Sequence, residues 1–167
     1  MALLPSKTSP LAKRRNDRMN IPIKRFDKSL PLPSGTDGAA CFDLTCRETI
    51  TIPPKTIKPV PQNIALKVPD GHALLLFSRS STPLRKGLMM ANSVGVVDPF
   101  YCGDDDENLA FLYNFTDEEI TVEAGDRIVQ GMIIKTEPIE WQEVESMESD
   151  GHGGYQHLDE IKHVAAD

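Results

Sequence analysis

Short stretches of alternating polar and apolar residues, separated by turns, most constrain the fold of this chain. The alternation runs through residues 49–52, 64–68 and 120–123, and a period of two is typical of strands with one buried face. Thirteen prolines and eleven glycines interrupt the chain at short intervals. Many short strands with such spacing indicate a sandwich, a barrel or a jelly roll. The sequence therefore predicts an all-β protein.

Two nearly continuous apolar runs stand out from this alternating pattern. Residues 73–77 and 128–134 are predicted to be strands that are buried on both faces or lie at a subunit contact. No stretch of twelve or more residues shows a convincing helical period. A short helical turn is expected after Ser80, around residues 83–86.

The distribution of charge divides the chain into three parts. Residues 1–20 contain five basic residues and one acidic residue, which predicts a disordered basic leader, with a targeting or nucleic-acid-binding arm as the alternative. Residues 21–144 form the expected β domain. Residues 145–167 begin with an acidic run and a glycine-rich segment, which predict a flexible C-terminal arm.

Composition limits the partners and the compartment. A net charge of −7 disfavours stable binding to a nucleic-acid backbone. The three cysteines lack the spacing of a zinc site, and their odd number disfavours a disulfide framework. Reduced thiols and the lack of a secretory leader predict a cytoplasmic protein. No apolar run approaches the roughly 20 residues of a membrane span, so no membrane partner is expected.

Two polar segments are candidates for chemistry, since neither a P-loop nor another common catalytic signature is present. Residues 78–81 (SRSS) follow an apolar strand, where hydroxyl groups and an arginine can bind phosphate or simply form a turn. Residues 92–103 contain Asp98 before a proline. This aspartate is either a general base or a turn-capping residue.

Five segments occur in the order of the five motifs of the trimeric dUTPase family, which the chain resembles over about residues 20–158. They are residues 38–44 (GAACFDL), 78–81 (SRSS), 92–103 (NSVGVVDPFYCG), 125–130 (GDRIVQ) and 151–155 (GHGGY). The third and fourth segments match the family patterns N-x-x-G-x-I-D-x-x-Y-x-G and G-[DE]-R-I-A-Q most specifically. The resemblance implies a distorted jelly roll or β-barrel of short strands and hydrolysis of dUTP to dUMP and pyrophosphate.

The resemblance also implies a role for each matching residue. Asp98 would be the catalytic base that activates water for attack on the α-phosphorus, and Asp43 would be a carboxylate behind the site rather than a base. The residues implied to bind uracil and deoxyribose are Asn92, Gly95, Val97, Tyr101 and Tyr155, with the first four on a hairpin. Those implied to bind or brace the phosphates are Arg79, Ser80, Ser81 and Gln130. The cofactor would be Mg²⁺ held mainly by the triphosphate, without direct protein ligands, and each site would be shared between the subunits of a homotrimer.

Two segments depart from the family pattern. Asp150 stands where the fifth motif has an arginine, so His152 or Arg85 is expected to supply a weaker phosphate contact. Residues 104–107 are an acidic insertion after Gly103. A solvated hairpin tip is the expected interpretation of this insertion, with a metal-binding role as the alternative.

Two other functions remain open. A dCTP deaminase shares the fold and resembles this chain at residues 79–81 and 98–99, with Arg85 as a possible counterpart of its arginine. Its catalytic glutamate belongs in the strand after Gly103, where residues 109–113 contain no carboxylate. The altered fifth motif also leaves a non-catalytic nucleotide-binding regulatory protein as an alternative.

Overall fold

The computed structural model describes residues 19–149, and within that range the chain is almost entirely β-structure. One short helix, α1, spans Thr82–Lys86. The strands are β1 (Ile23–Arg25), β2 (Phe42–Leu44), β3 (Ile50–Ile52), β4 (Ile57–Pro61), β5 (Ile64–Leu66), β6 (His72–Ser78), β7 (Leu88–Met90), β8 (Gly95–Val97), β9 (Leu109–Asn114), β10 (Ile120–Val122) and β11 (Val129–Lys135). The predicted all-β class is confirmed.

A four-stranded antiparallel sheet with the order β2–β11–β6–β8 forms the largest layer. The two apolar runs predicted from the sequence become β6 and β11, which pair along seven residues in the interior of this sheet. In this register Gln130 lies opposite Phe77 on one side and Asp43 on the other. The pairing therefore brings the first, second and fourth sequence segments together.

Three smaller sheets complete the domain. One is three-stranded, with the order β4–β9–β7. The other two are two-stranded and consist of the pairs β1–β5 and β3–β10. The alternating segments at 49–52, 64–68 and 120–123 correspond to β3, β5 and β10, as expected. Each of these strands is only three residues long.

The core is aliphatic. Large side chains that are almost completely buried include Leu44, Leu74, Leu112, Val122 and Val129. Such residues pack at high density without any polar atom to satisfy, and their burial stabilises the fold by about 1.5–3 kcal/mol each. This matches the low aromatic content of the sequence, which is 6%.

The helix predicted around residues 83–86 is confirmed as α1. Pro83 occupies its first turn, where a missing N–H costs no helical hydrogen bond. Gly87 ends the helix in the left-handed conformation, with φ of 63°, and its N–H donates to the Pro83 carbonyl. The helix thus connects β6 to β7 in the space of one turn.

The compact unit that contains all these elements ends at Glu137, and Pro138 begins a second unit. Its described residues, 138–149, contain neither helix nor strand. Within residues 19–149 the structure has no helix with the length and hydropathy needed to cross a lipid bilayer. Most of the predicted basic leader and most of the predicted C-terminal arm lie outside the described residues.

Candidate active site

A pocket of about 350 Å³ lies where β8 and the start of β9 approach β6. Its volume falls in the range of small-molecule sites. The pocket is lined by the predicted base, Asp98, and by four residues predicted to bind the nucleoside: Asn92, Gly95, Val97 and Tyr101. Apolar walls from Leu76, Leu109 and Phe111 complete a cavity with a few polar groups.

The segment that carries these residues is not a regular hairpin, which corrects the expectation from the sequence. β7 pairs with β9, whereas β8 pairs with β6, so the chain passes from one sheet to another between them. Ser93 makes the change of direction with φ of 62°. Gly95 then packs so closely on β6 that a Cβ atom there would lie 3.1 Å from Cβ of Leu76.

Asp98 immediately follows the last residue of β8 and begins a turn. Its backbone carbonyl accepts a hydrogen bond from the Tyr101 N–H at 3.1 Å. Its side chain is exposed and makes no hydrogen bond or ion pair with another residue in the range 19–149. The turn-forming and the catalytic interpretations are therefore compatible, because the backbone forms the turn and leaves the side chain without a partner in the range 19–149.

Tyr101 is held in place from behind the pocket. Its hydroxyl group donates a hydrogen bond to the backbone carbonyl of Glu107 at 3.1 Å. The Glu107 carboxylate accepts two hydrogen bonds from Nε of Arg47, at 2.9 and 3.0 Å, and one from the backbone N–H of Asn63 at 2.8 Å. The hydrogen bonds from Arg47 to Glu107 are the main cause that raises the pKa of Arg47.

The burial of Glu107 corrects the prediction of a solvated tip at residues 104–107. Asp104 and Asp105 are exposed, as expected, but Glu107 is 8% exposed and Asn108 is 2% exposed. The sequence does not reveal that Glu107 is buried while Asp104 and Asp105 are exposed, because all four residues of the run are acidic. The sequence contains no signal for the partner of Glu107, because Arg47 is 60 residues away and has Glu48 beside it as a nearer partner.

The segment predicted to bind phosphate lies at the end of β6. Arg79 makes an ion pair with Asp43, with 2.9 Å between Nε and Oδ1, and its Nη1 donates to the Arg127 carbonyl at 2.8 Å. Gln130 donates to the carbonyl of Ser78 at 3.2 Å. Ser80 is exposed, and Ser81 is the N-cap of α1 without a side-chain cap hydrogen bond.

The phosphate segment does not contribute to the lining of the nucleoside pocket on this chain. Among the described residues that line the pocket there is none from residues 78–81, and neither Asp43 nor Gln130 is present. Arg85 lines a different surface depression together with Lys86. The other predicted arm residues, Asp150, His152 and Tyr155, lie outside the described residues.

The donor groups near the pocket suit an ion that arrives with the substrate. Residues 19–149 contain no cluster of three acidic, histidine or cysteine side chains that could hold a metal. Asp98 is the one carboxylate among the described lining residues, so an ion at this pocket would take most of its ligands from phosphate oxygens and water. This donor set fits Mg²⁺ held mainly by a triphosphate.

Known proteins resemble this chain in both sequence and structure. The family model described as dUTPase matches residues 28–156. A deoxyuridine 5′-triphosphate nucleotidohydrolase of Lactococcus lactis is 37% identical over 74% of this chain and 78% of its own length. The corresponding protein of Helicobacter pylori strain P12 is 35% identical over 82% of this chain and 94% of its own length.

Solved structures agree with the sequence matches. A dUTPase from Streptococcus mutans superposes with a TM-score of 0.66 at 33% identity, over 71% of this chain and 98% of its own. A Staphylococcus bacteriophage 80alpha dUTPase superposes with a TM-score of 0.70, and its 21% identity bears on the fold alone. The dUTPase family model spans more than half of the chain and the curated relatives exceed 30% identity, so this chain belongs to the dUTPase family.

Proposed function

We propose that this protein hydrolyses dUTP to dUMP and pyrophosphate, with Asp98 as the general base. The observation that carries the proposal is the position of the Asp98 carboxylate, which lies on the pocket and has no partner within residues 19–149. A water molecule that gives its proton to this carboxylate attacks the α-phosphorus. The bond from that phosphorus to the bridging oxygen breaks, and pyrophosphate leaves with the electron pair.

The pocket's polar groups account for the choice of nucleoside. The ring of Tyr101, fixed through its hydroxyl group, stacks under the deoxyribose and leaves no room for a ribose 2′-hydroxyl. Asn92 and the backbone around Gly95 and Val97 bind the pairing edge of uracil. Cytosine presents the opposite donors and acceptors there, so its binding would leave buried groups unpaired. Tyr155, in the fifth segment, supplies the second aromatic face.

The phosphate groups bind at the end of β6. Ser80, Ser81 and Gln130 contact phosphate oxygens, and Arg79 braces this segment. Asp43 acts through its ion pair with Arg79, which fixes the direction of the guanidinium group. Mg²⁺ carried by the triphosphate would neutralise charge on the phosphates. A structural Mg(II) ion is coordinated by a mutant dUTPase from phage phi11 of Staphylococcus aureus.

Separate positions for the two half-sites favour a homotrimer in which each site is shared between subunits. The nucleoside pocket of one chain and the phosphate segment of another would together hold one dUTP molecule. Exposed apolar side chains support an assembly, because Phe100 is 83% exposed and Trp141 is 87% exposed. Three unpaired cysteines further favour a reducing, cytoplasmic compartment.

Deamination lacks a suitable base in this pocket. Phe111 occupies the wall formed by β9, and the carboxylate of Glu107 is already bound by Arg47 and Asn63. Among the described lining residues Asp98 is the one carboxylate. A single carboxylate suits the hydrolytic reaction, which requires one base.

The proposed activity is tested with purified protein, Mg²⁺ and either dUTP or dCTP, while pyrophosphate and ammonia are measured separately. We expect pyrophosphate from dUTP alone. Asp98→Asn should lower kcat by about 10²–10⁴-fold, because the amide cannot accept the proton, while a non-hydrolysable dUTP analogue still binds. Asp105→Asn, which changes an exposed carboxylate of the acidic insertion, is the matched control and should leave kcat unchanged.

Three results would contradict the proposal. Ammonia from dCTP would identify a deaminase. Binding of dUTP without turnover in the unchanged protein would identify a nucleotide-binding regulatory protein. Full activity in Asp98→Asn would place the base elsewhere.

A further inference from the structure

Asn108 is a buried side chain whose polar atoms have no partner. Its exposure is 2%, and neither its amide nitrogen nor its amide oxygen makes a hydrogen bond with the rest of the described chain. Its backbone, in contrast, is fully engaged, since its N–H donates to the Ile64 carbonyl and its carbonyl accepts from the Gln62 N–H. A buried amide without partners is costly, so its presence calls for a functional explanation.

The position of Asn108 supplies that explanation. It lines the same pocket as Asp98 and Tyr101. It also directly follows Glu107, whose carbonyl anchors the Tyr101 hydroxyl group. Asn108 therefore shares a pocket with the tyrosine on which the deoxyribose stacks under the proposed function.

We propose that Asn108 is a further substrate-binding residue whose amide hydrogen-bonds the 3′-hydroxyl group of the deoxyribose. The hydroxyl oxygen can accept a hydrogen bond from the amide nitrogen, and the hydroxyl hydrogen can be donated to the amide oxygen. One hydroxyl group can therefore satisfy both unpaired atoms of Asn108. The uracil edge already has Asn92 and the backbone around Gly95 as partners. The sugar's ring oxygen can only accept a hydrogen bond, whereas its 3′-hydroxyl can both donate and accept, as the two unpaired atoms of Asn108 require. This assignment rests on the proposed function.

A second buried amide provides a matched control. Gln62 is completely buried and its Oε1 has no hydrogen-bond partner among the described residues, but its Nε2 donates to the Val60 carbonyl at 2.8 Å. Gln62 does not line the pocket. Gln62→Leu therefore removes an equally buried amide from the same region without touching the proposed contact.

The test compares dUTP with 2′,3′-dideoxyuridine triphosphate, which lacks the 3′-hydroxyl group. We expect Asn108→Leu to lower kcat/KM for dUTP about five- to tenfold, mainly through KM, and to leave kcat/KM for the dideoxy substrate nearly unchanged. The preference for dUTP over the dideoxy substrate should fall by the same factor. Gln62→Leu should keep that preference.

The melting temperature of the free protein is a second measurement, and we expect it to change in the direction opposite to the affinity for dUTP. Because leucine has a similar volume and no amide to desolvate, Asn108→Leu should maintain or raise Tm while it weakens dUTP binding. A lower Tm with an unchanged substrate preference would overturn the proposal and indicate a buried water that satisfies the amide. Asn108→Ala provides the same substrate comparison if the leucine variant does not fold.

The two proposals fail differently. If the unchanged protein does not release pyrophosphate from dUTP, the proposed function is wrong. If it does, and Asn108→Leu keeps the preference for dUTP over the dideoxy substrate, only the role of Asn108 is wrong.

Discussion

At the scale of single residues, Glu107 shows how one buried carboxylate can organise a site that it does not enter. It binds the Arg47 guanidinium group and the Asn63 N–H, and its own carbonyl receives the Tyr101 hydroxyl group. Arg47 is itself about one-third exposed, so solvent screens part of the attraction. The hydrogen bonds, rather than the charge alone, make this contact specific.

Glu107→Gln should lower the free energy of unfolding by about 2 kcal/mol, because hydrogen bonds to charged groups contribute about 1.5–3 kcal/mol. Urea unfolding at fixed protein concentration measures the change. Asp104→Asn breaks the ion pair with Lys24, in which the aspartate is 92% exposed, and should change stability by less than about 0.5 kcal/mol. Equal effects from both variants would contradict the structural distinction within the acidic insertion.

Cys46 is a second residue whose environment makes a measurable prediction. Burial is the main cause that raises the pKa of its thiol to about 12. Above the ordinary pKa of a thiol the unfolded chain releases a proton that the folded chain retains, so stability should fall as pH rises from about 9 toward 12. The slope approaches about 1.4 kcal/mol per pH unit. Urea unfolding at several pH values measures it, and Cys46→Ala should remove this part of the slope while other groups still contribute theirs.

At the scale of elements, the sequence predicted the strands whose side chains alternate and the two that are continuously apolar. It did not predict β4, because its residues 57–61 include two prolines, which usually exclude a strand. The structure places β4 at the edge of its sheet, where a missing N–H costs little. The pairing of β2 with β11 was also beyond sequence patterns, since period-two alternation says nothing about which distant strand is the partner.

The candidate site, like the strand pairing, could be predicted only in part, because sequence patterns do not reveal tertiary contacts. Residues 92–103 and 78–81 were identified from their chemistry and their resemblance to a family, and the structure brings the first group to one pocket. Asn108 gave no signal, because an asparagine after a run of acids is expected to be solvated. Its significance comes only from burial and from unpaired atoms, which depend on tertiary packing.

The end of α1 provides a prediction for a single element. Gly87 has φ of 63°, and a Cβ atom there would clash with Cγ2 of Thr116. Gly87→Ala should lower the free energy of unfolding by about 1–3 kcal/mol, which urea unfolding measures. Gly71→Ala tests the backbone conformation alone, because Gly71 has φ of 70° and a Cβ atom added there would meet no atom of the described chain within 4 Å.

The difference between these two variants isolates the steric contact. Thr116→Ser removes the methyl group and retains the hydroxyl group that bonds to Asn114. This change should recover part of the stability lost in Gly87→Ala. Equal losses in Gly87→Ala and Gly71→Ala would show that the contact with Thr116 relaxes at no cost.

At the scale of the whole molecule, the division of the site into two halves leads to a complementation experiment. Asp98→Asn disables the nucleoside pocket and Arg79→Ala disables the phosphate segment, so each variant alone should be nearly inactive. If each site takes its pocket from one subunit and its phosphate segment from another, trimers mixed from the two variants contain some intact sites. Random mixing in equal amounts should restore about one quarter of the unchanged protein's activity. Pyrophosphate release from dUTP after co-refolding measures this recovery, and sedimentation confirms the oligomeric state. A mixed assembly no more active than its separate components would mean that each chain builds its own site, and the shared-site trimer would be wrong.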